Sequence, residues 1–197
     1  MIAKKCISTA LAPFPFLLTS IILSFFYQFF IFLTILILSI QIFFIYFFRD
    51  MSRNIEEGII SPADGRVFYA EKNKISIFMS LFDMHVNLMP YDGKVVSIRH
   101  YDGIHEPAYG NVSKNERQEI EIESDIGNIK IIQIAGIFAR RILCYVREGD
   151  FLKKGEKIGV IKFGSRVEMH LPENCIFFVE KGEKIKAGET VAKFEVR

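Results

Sequence analysis

VREGDFLKKGEKI at 146–158 returns as VEKGEKIKAGETV at 179–191, so both copies obey the pattern V-x-x-G-x-x-[LI]-x-x-G-E-x-[IV]. Each copy reads as glycine turns feeding a short aliphatic strand. A shorter pair stands upstream, PADGRV at 62–67 and PYDGKV at 90–95. From residue 54 onward, brief runs rich in Ile, Val and Phe alternate with such turns, which predicts an all-β domain over 54–197 with internal repeats. Between the two longer copies lies FGSRV at 163–167, so Gly164 and Ser165 occupy the link between two matching halves. A Gly-Ser pair is ordinary turn sequence; set between two strands, it is also a peptide bond that its own hydroxyl could cut.

Upstream of the β region, residues 6–48 contain no Asp, Glu, Lys or Arg. A membrane span needs about 20 apolar residues at ~1.5 Å each, so this run is too long for one upright helix. Two short helices over about 11–48, joined near Tyr27 and Gln28, fit better. Lys4 and Lys5 precede the run while Arg49 and Arg53 follow it, and a hairpin returns both clusters to the cytoplasmic side. Residues 1–53 are thus expected to form a membrane anchor at the cell membrane, with the β domain in the cytoplasm. A cleaved signal peptide would have a much shorter apolar core.

The 197 residues suffice for one substantial core plus an anchor, and half of them are hydrophobic, with 20 Phe and no Trp. A formal charge of +2 is too small to argue for nucleic acid. Cys6, Cys144 and Cys175 are scattered without metal-ligand spacing, so neither a disulfide framework nor a metal site is expected.

Candidate chemistry lies in FDMHVNLMP at 82–90, where strand alternation would put Asp83 and His85 on one face. A carboxylate beside an imidazole can orient it and raise its basicity, but taken alone such a pair is more often a structural hydrogen bond. Asp64, in SPADG at 61–65, reads on its own as a turn aspartate ahead of a glycine. His100, His105 and His170 have no partner at a telling spacing, and Arg140, Arg141, Lys153 and Lys154 read as a solvated face that could meet phospholipid head groups.

Taken together, SPADG at 61–65, FDMHVN at 82–87, NER at 115–117, Ile134-Ala135-Gly136 before Ala139-Arg140-Arg141-Ile142, and FGSR at 163–166 resemble the phosphatidylserine decarboxylase proenzymes, in their short bacterial and archaeal-type form. Phe47-Phe48-Arg49-Asp50 is similar to the family's junction after the anchor. The repeats themselves resemble the hammerhead turns of lipoyl and biotinyl domains, which implies a barrel-sandwich-like β fold.

The family resemblance implies a pyruvoyl enzyme with neither pyridoxal phosphate nor metal. Self-cleavage between Gly164 and Ser165 would leave chains 1–164 and 165–197 as a heterodimer, with Ser165 converted to the pyruvoyl group. It carries His85 to the role of base, with Asp64 and Asp83 as its carboxylate partners. Phosphatidylserine, drawn from the membrane phospholipid, would condense with the ketone, lose carbon dioxide and leave as phosphatidylethanolamine; a homo-oligomer of such heterodimers is also implied as possible. Two departures stand out. Longer family members have Leu-Gly-Ser-Thr where this chain has Phe163 to Arg166, and a second histidine where Leu88 stands, so no role transfers to that position. Arg166 is left open between a phosphate or carboxylate contact and an outward-facing strand residue. The reading from another class is a non-catalytic membrane adaptor, which would need a long helical hairpin within 95–145; no sustained 3.6-residue period is present there.

Overall fold

The computed structural model describes residues 1–71, 73–104, 106–110, 112–137, 141–162 and 165–194, with Ser165 described by its backbone. Two compact units divide the chain, Met1–Met51 and Ser52–Arg197.

The first unit holds α1 (Ile7–Ala10), α2 (Phe14–Ser24) and α3 (Phe30–Phe47). Pro15 falls in the first turn of α2, where a missing N–H costs nothing. The few polar side chains bond within the unit: Thr19, Ser24, Thr34 and Ser39 hydroxyls donate to carbonyls one turn back, and buried Gln41 donates Nε2 to the Ala10 carbonyl at 2.9 Å. Such local closure is what apolar surroundings demand of polar groups. Ile2 bridges to Arg49, and Ala3 donates its N–H to the Phe48 carbonyl at 2.8 Å, so both ends of the apolar run meet at one end of the hairpin. Segments Ile7–Ser24 and Phe30–Phe47, each of 18 residues, are long and apolar enough to cross a membrane. At ~1.5 Å per residue each reaches about 27 Å, close to the ~30 Å hydrocarbon core.

The second unit is β throughout its described elements. In chain order these are β1 (Ile59–Ile60), β2 (Gly65–Glu71), β3 (Lys74–Met79), β4 (Val86–Leu88), β5 (Gly93–Tyr101), β6 (Arg117–Ser124), β7 (Gly127–Ala135), β8 (Ile142–Cys144), β9 (Phe151–Leu152), β10 (Lys157–Ile161), β11 (Ser165–His170), β12 (Cys175–Phe177), β13 (Lys184–Ile185) and β14 (Thr190–Phe194). An eight-stranded sheet runs β13-β2-β3-β11-β7-β6-β5-β9, and two three-stranded sheets run β1-β14-β12 and β4-β10-β8. Strands β5 to β8 fill the region where an adaptor's helical hairpin would have to stand. Period-two alternation builds the core: Ile120 and Ile122 of β6 are buried while the adjacent Glu119 and Glu121 are not, and Ile75 and Ile77 of β3 oppose Met169 and Val167 of β11 across the same interior.

The repeats recur in three dimensions. Gly149 donates its N–H to Val95 and Gly182 donates to Val67, each at 2.8 Å, while Gly155 donates to Met89 and Gly188 to Ser61 at 2.9 and 3.1 Å. The two copies then exchange bonds, Ile60 N–H to the Pro90 carbonyl at 3.0 Å and Leu88 N–H to the Pro62 carbonyl at 2.9 Å. Each PxDG turn therefore packs on one long repeat, and the two pairs interlock about a local two-fold. The glycines make this possible: Gly149, Gly155, Gly182 and Gly188 have φ of 92°, 85°, 92° and 96°, in the left-handed region that side chains resist.

Candidate active site

Strand β11 sets the geometry. It lies between β3 and β7, with Ser165 opposite Met79 on one side and Ala135 on the other. Alternation sends Val167 and Met169 into the core and puts Arg166, Glu168 and His170 on the other face. Ser165, the residue expected to follow the cleaved bond, thus begins a strand in the middle of the largest sheet. Phe163, Gly164 and the Ser165 side chain are outside the described residues, as are His105, Ala139 and Arg140.

Backbone pairing brings His85 to the chain just upstream. Strand β4 runs antiparallel to β10 with Val86 opposite Val160, and Ile161 donates its N–H to the His85 carbonyl at 3.2 Å. The His85 ring is buried, and its Nδ1 lies 2.9 Å from the Asp83 carbonyl oxygen. A carbonyl can only accept, so Nδ1 carries the proton and, in the neutral ring, Nε2 holds the lone pair. That is the tautomer a base needs.

Asp83 and His85 do not lie on a common strand as alternation suggested, because the strand begins only at Val86. The physical reason is local. The Asp83 carboxylate accepts from the Ser80 N–H at 2.8 Å and from the Ser80 hydroxyl at 2.7 Å, closing a turn over Ser80–Asp83 that pre-empts extended backbone. What Asp83 offers the ring is its main-chain carbonyl.

Asp64 is buried and heavily bonded. Its Oδ1 accepts from the Ala187 N–H at 2.9 Å, and its Oδ2 accepts from the N–H of Met84, the residue before His85, at 3.3 Å. Arg53 forms an ion pair with the same Oδ2. Asp92 is the counterpart of Asp64 in the other turn, where it accepts from the Lys154 N–H at 2.6 Å, and it is exposed. The shared bond caps a repeat. Burial, the Met84 contact and the Arg53 partner belong to Asp64 alone.

Arg166 is buried, which removes the outward-facing alternative. Its Nε donates to the Ser76 hydroxyl at 2.6 Å, its Nη2 reaches Glu168 at 2.6 Å, and its guanidinium stands over the rings of Phe68 and Tyr69 at 4.7 and 5.3 Å. Burial works to raise the Glu168 carboxyl, but hydrogen bonding from His170 and the Arg166 charge outweigh it and hold the group below its ordinary 4.5. Tyr69 is pushed above its ordinary 10.0, by burial first and then by the Glu168 charge.

A buried amide relay was not foreseen. Gln118 donates Nε2 to Gln133 Oε1 at 2.9 Å, and Gln133 donates Nε2 to Asn87 Oδ1 at 2.7 Å. Asn115 donates Nδ2 to the Ala135 carbonyl at 2.7 Å, tying the position opposite Ser165. Parity could have revealed the two glutamines: Gln118 shares its face with Ile120 and Ile122, and Gln133 shares its face with Ile131 and Ile129. Each is an amide where the core pattern calls for an aliphatic.

Fold and site thus define a mainly β protein with apolar N-terminal helices, in which a buried carboxylate holds the residue before a buried histidine, and that histidine's carbonyl is bonded by Ile161, four residues ahead of Ser165. Residues 69–193 match the phosphatidylserine decarboxylase family. A protein of Archaeoglobus fulgidus, provisionally named archaetidylserine decarboxylase proenzyme, is 51% identical over 157 residues, covering 80% of each chain. Phosphatidylserine decarboxylase proenzymes of Syntrophus aciditrophicus and Streptomyces avermitilis are 42% and 43% identical over 177 and 153 residues, covering 80% and 74% of this chain and 82% and 71% of theirs. The chain belongs to the phosphatidylserine decarboxylase family, which sets aside the adaptor reading.

Proposed function

We propose that the chain is a proenzyme that cuts itself between Gly164 and Ser165 and then decarboxylates phosphatidylserine to phosphatidylethanolamine and carbon dioxide. The observation that carries this reading is the family match over 69–193, joined to a buried histidine of basic tautomer held beside the chain that leads into Ser165.

In the first step Ser165 Oγ attacks the Gly164 carbonyl carbon, with His85 Nε2 taking the hydroxyl proton. The C–N bond breaks, the amine takes a proton, and an ester joins the two residues. Loss of the Ser165 Cα proton then breaks the Cβ–O bond, leaving a carboxylate on Gly164 and dehydroalanine at 165. Water replaces the nitrogen, ammonia departs, and the new N-terminus is a pyruvoyl group. The residues present suit a group made in this way, because it needs no separate cradle. It needs a fixed backbone, supplied by pairing of Ser165 with Met79 and Ala135, and a nearby base.

Once formed, the ketone supplies an electron sink for the pair released when carbon dioxide leaves the serine head group. His85 then returns a proton to the carbon that lost the carboxylate. Asp64, anchored by Arg53, holds Met84 and through it the position of His85. Asp83 fixes the tautomer through its carbonyl. The apolar hairpin is the membrane anchor, keeping the β unit at the cytoplasmic head-group layer where the substrate resides.

Intact mass and denaturing gels test the reading. Wild type is expected to separate into a chain of 1–164 and a chain of 165–197 whose N-terminus lacks its amine, whereas Ser165→Ala stays whole and inactive. Ser165→Cys should cut slowly, since sulfur performs the same acyl shift. A fully active preparation of uncut chain sinks the mechanism.

A further inference from the structure

Beside the head of β11 lies an open cavity of about 150 Å³, walled by Phe78, Met79, Leu81, Ala108, Tyr109 and Ile137. We propose that it receives the first methylenes of the lipid substrate's hydrocarbon, those nearest the glycerol; this rests on the decarboxylase reading above. Position is the first reason. Met79 is the register partner of Ser165, and Gly136, also in the wall, follows Ala135, the partner on the other side. Whatever occupies the cavity therefore sits next to the residue that forms the reactive group.

Chemistry is the second reason. Ser80 contributes to the wall, yet both its N–H and its hydroxyl are committed to the Asp83 carboxylate. Phe78 and Tyr109 meet edge to face at 6.4 Å between ring centres, closing one side with aromatic surface. Such a wall offers little to a phosphate or an ammonium and suits hydrocarbon. Size is the third: pockets that enclose a whole small molecule begin at about 300 Å³, so this one holds a segment and leaves the rest of each chain outside.

The rim points the same way. Tyr109 is 66% exposed, Ile137 48%, and Phe82, in the turn beside Leu81, 68%. Large apolar side chains gathered at the mouth of a reaction site are poorly served by water and well served by a bilayer surface. The lipid would thus reach the site with its head group turned toward Ser165 and its chains still directed outward.

The test uses the full chain in nanodiscs and compares two water-soluble probes, glycerophosphoserine, which has no chains, and monomeric dihexanoyl phosphatidylserine. Each methylene taken from water into an apolar site is worth about fourfold in affinity. Wild type is expected to favour the dihexanoyl lipid by at least ~10-fold in kcat/KM, and Ala108→Phe, which fills the cavity, should bring that ratio to within ~3-fold of unity. The ether-linked dihexyl analogue should behave as the ester does, since the cavity is proposed to take the methylenes and its Ser80 N–H and hydroxyl are held by Asp83. Should Ala108→Phe remain uncut, Ile137→Ser on the exposed rim decides, with the ratio again expected to fall. A wild-type ratio near one, or a wild-type ratio kept in Ile137→Ser and in any cleaved Ala108→Phe, overturns the proposal. Wild type that neither cuts itself nor decarboxylates either probe brings down the decarboxylase reading instead.

Discussion

Asp64 and Asp92 occupy matching turns, and the comparison between them isolates what the site adds to the repeat. Both accept a backbone N–H from the opposing repeat, but only Asp64 is buried against Arg53 and Met84. Removing one member of a buried ion pair strands the other and costs ~3 kcal/mol or more, whereas exposed polar substitutions stay within about 0.5 kcal/mol. Asp64→Asn in the uncut Ser165→Ala background should therefore lower the melting midpoint in detergent by several degrees, and Asp92→Asn by about a degree. In the self-cleaving background, Arg53→Ala should slow processing and Arg53→Lys should restore part of it. Equal processing by wild type and Arg53→Ala would reduce the pair to a structural contact. His85→Ala should impair cleavage more than either, because it removes the base itself.

Glu168 makes a pH-dependent prediction at the same scale. Its native carboxyl binds a proton more weakly than in the unfolded chain, with Arg166 and His170 outweighing burial. The stabilisation is then fully present above the ordinary 4.5 and lost as pH falls through the lower native value. Thermal melts of wild type and Glu168→Gln should differ most near neutrality and converge in acid. A constant gap across that range would contradict the assignment.

Among elements, the repeats carry much of the fold. In both copies a carboxylate closes each turn by accepting the N–H three residues back: Asp150 from Arg147, Glu156 from Lys153, Glu183 from Glu180 and Glu189 from Lys186. The glycines differ in what surrounds them. A Cβ on Gly182 would meet nothing within 4 Å, so Gly182→Ala should cost only backbone strain, roughly 1 kcal/mol. At Gly188 the added carbon would stand 2.4 Å from the Asn54 carbonyl oxygen, and Gly188→Ala should cost distinctly more. Melts of the two variants that coincide would show that the close approach relaxes freely. These turns were legible because glycine and a carboxylate at fixed offsets act through the backbone nearest them. The start of β4 was not legible, since the pattern of 82–90 allows both a strand and the turn that the Asp83 carboxylate closes with Ser80.

On the scale of the whole molecule, cleavage before Ser165 would leave β11 hydrogen-bonded on both edges, to β3 and to β7, while β13 pairs with β2 and β14 with β1. The two chains should hence migrate together in native gel filtration and separate only in denaturant. Elution of the 165–197 chain by itself under native conditions would contradict this. Removing residues 1–46 should leave cleavage intact, because every residue assigned to it lies in the β unit, while weakening turnover on bilayer lipid more than on dispersed lipid. Protease added outside sealed spheroplasts should spare 54–197; its digestion there would reverse the proposed sidedness.

What the amino-acid order determined by itself was whatever depends on near neighbours. The uncharged run divides near Tyr27 and Gln28, between α2 and α3, alternation chooses which side of β6 and β11 is buried, the glycine repeats set the turns, and the ordered motifs identify the family. Tertiary structure alone decided which side chains meet. Asp64 finds Arg53, Met84 and Ala187 at separations of 11, 20 and 123 residues, and Arg166 finds Ser76 at 90. Alternation says which face a residue takes, but the partner on that face depends on which strand lies alongside and in what register, and that is settled only when the sheets close around a common core.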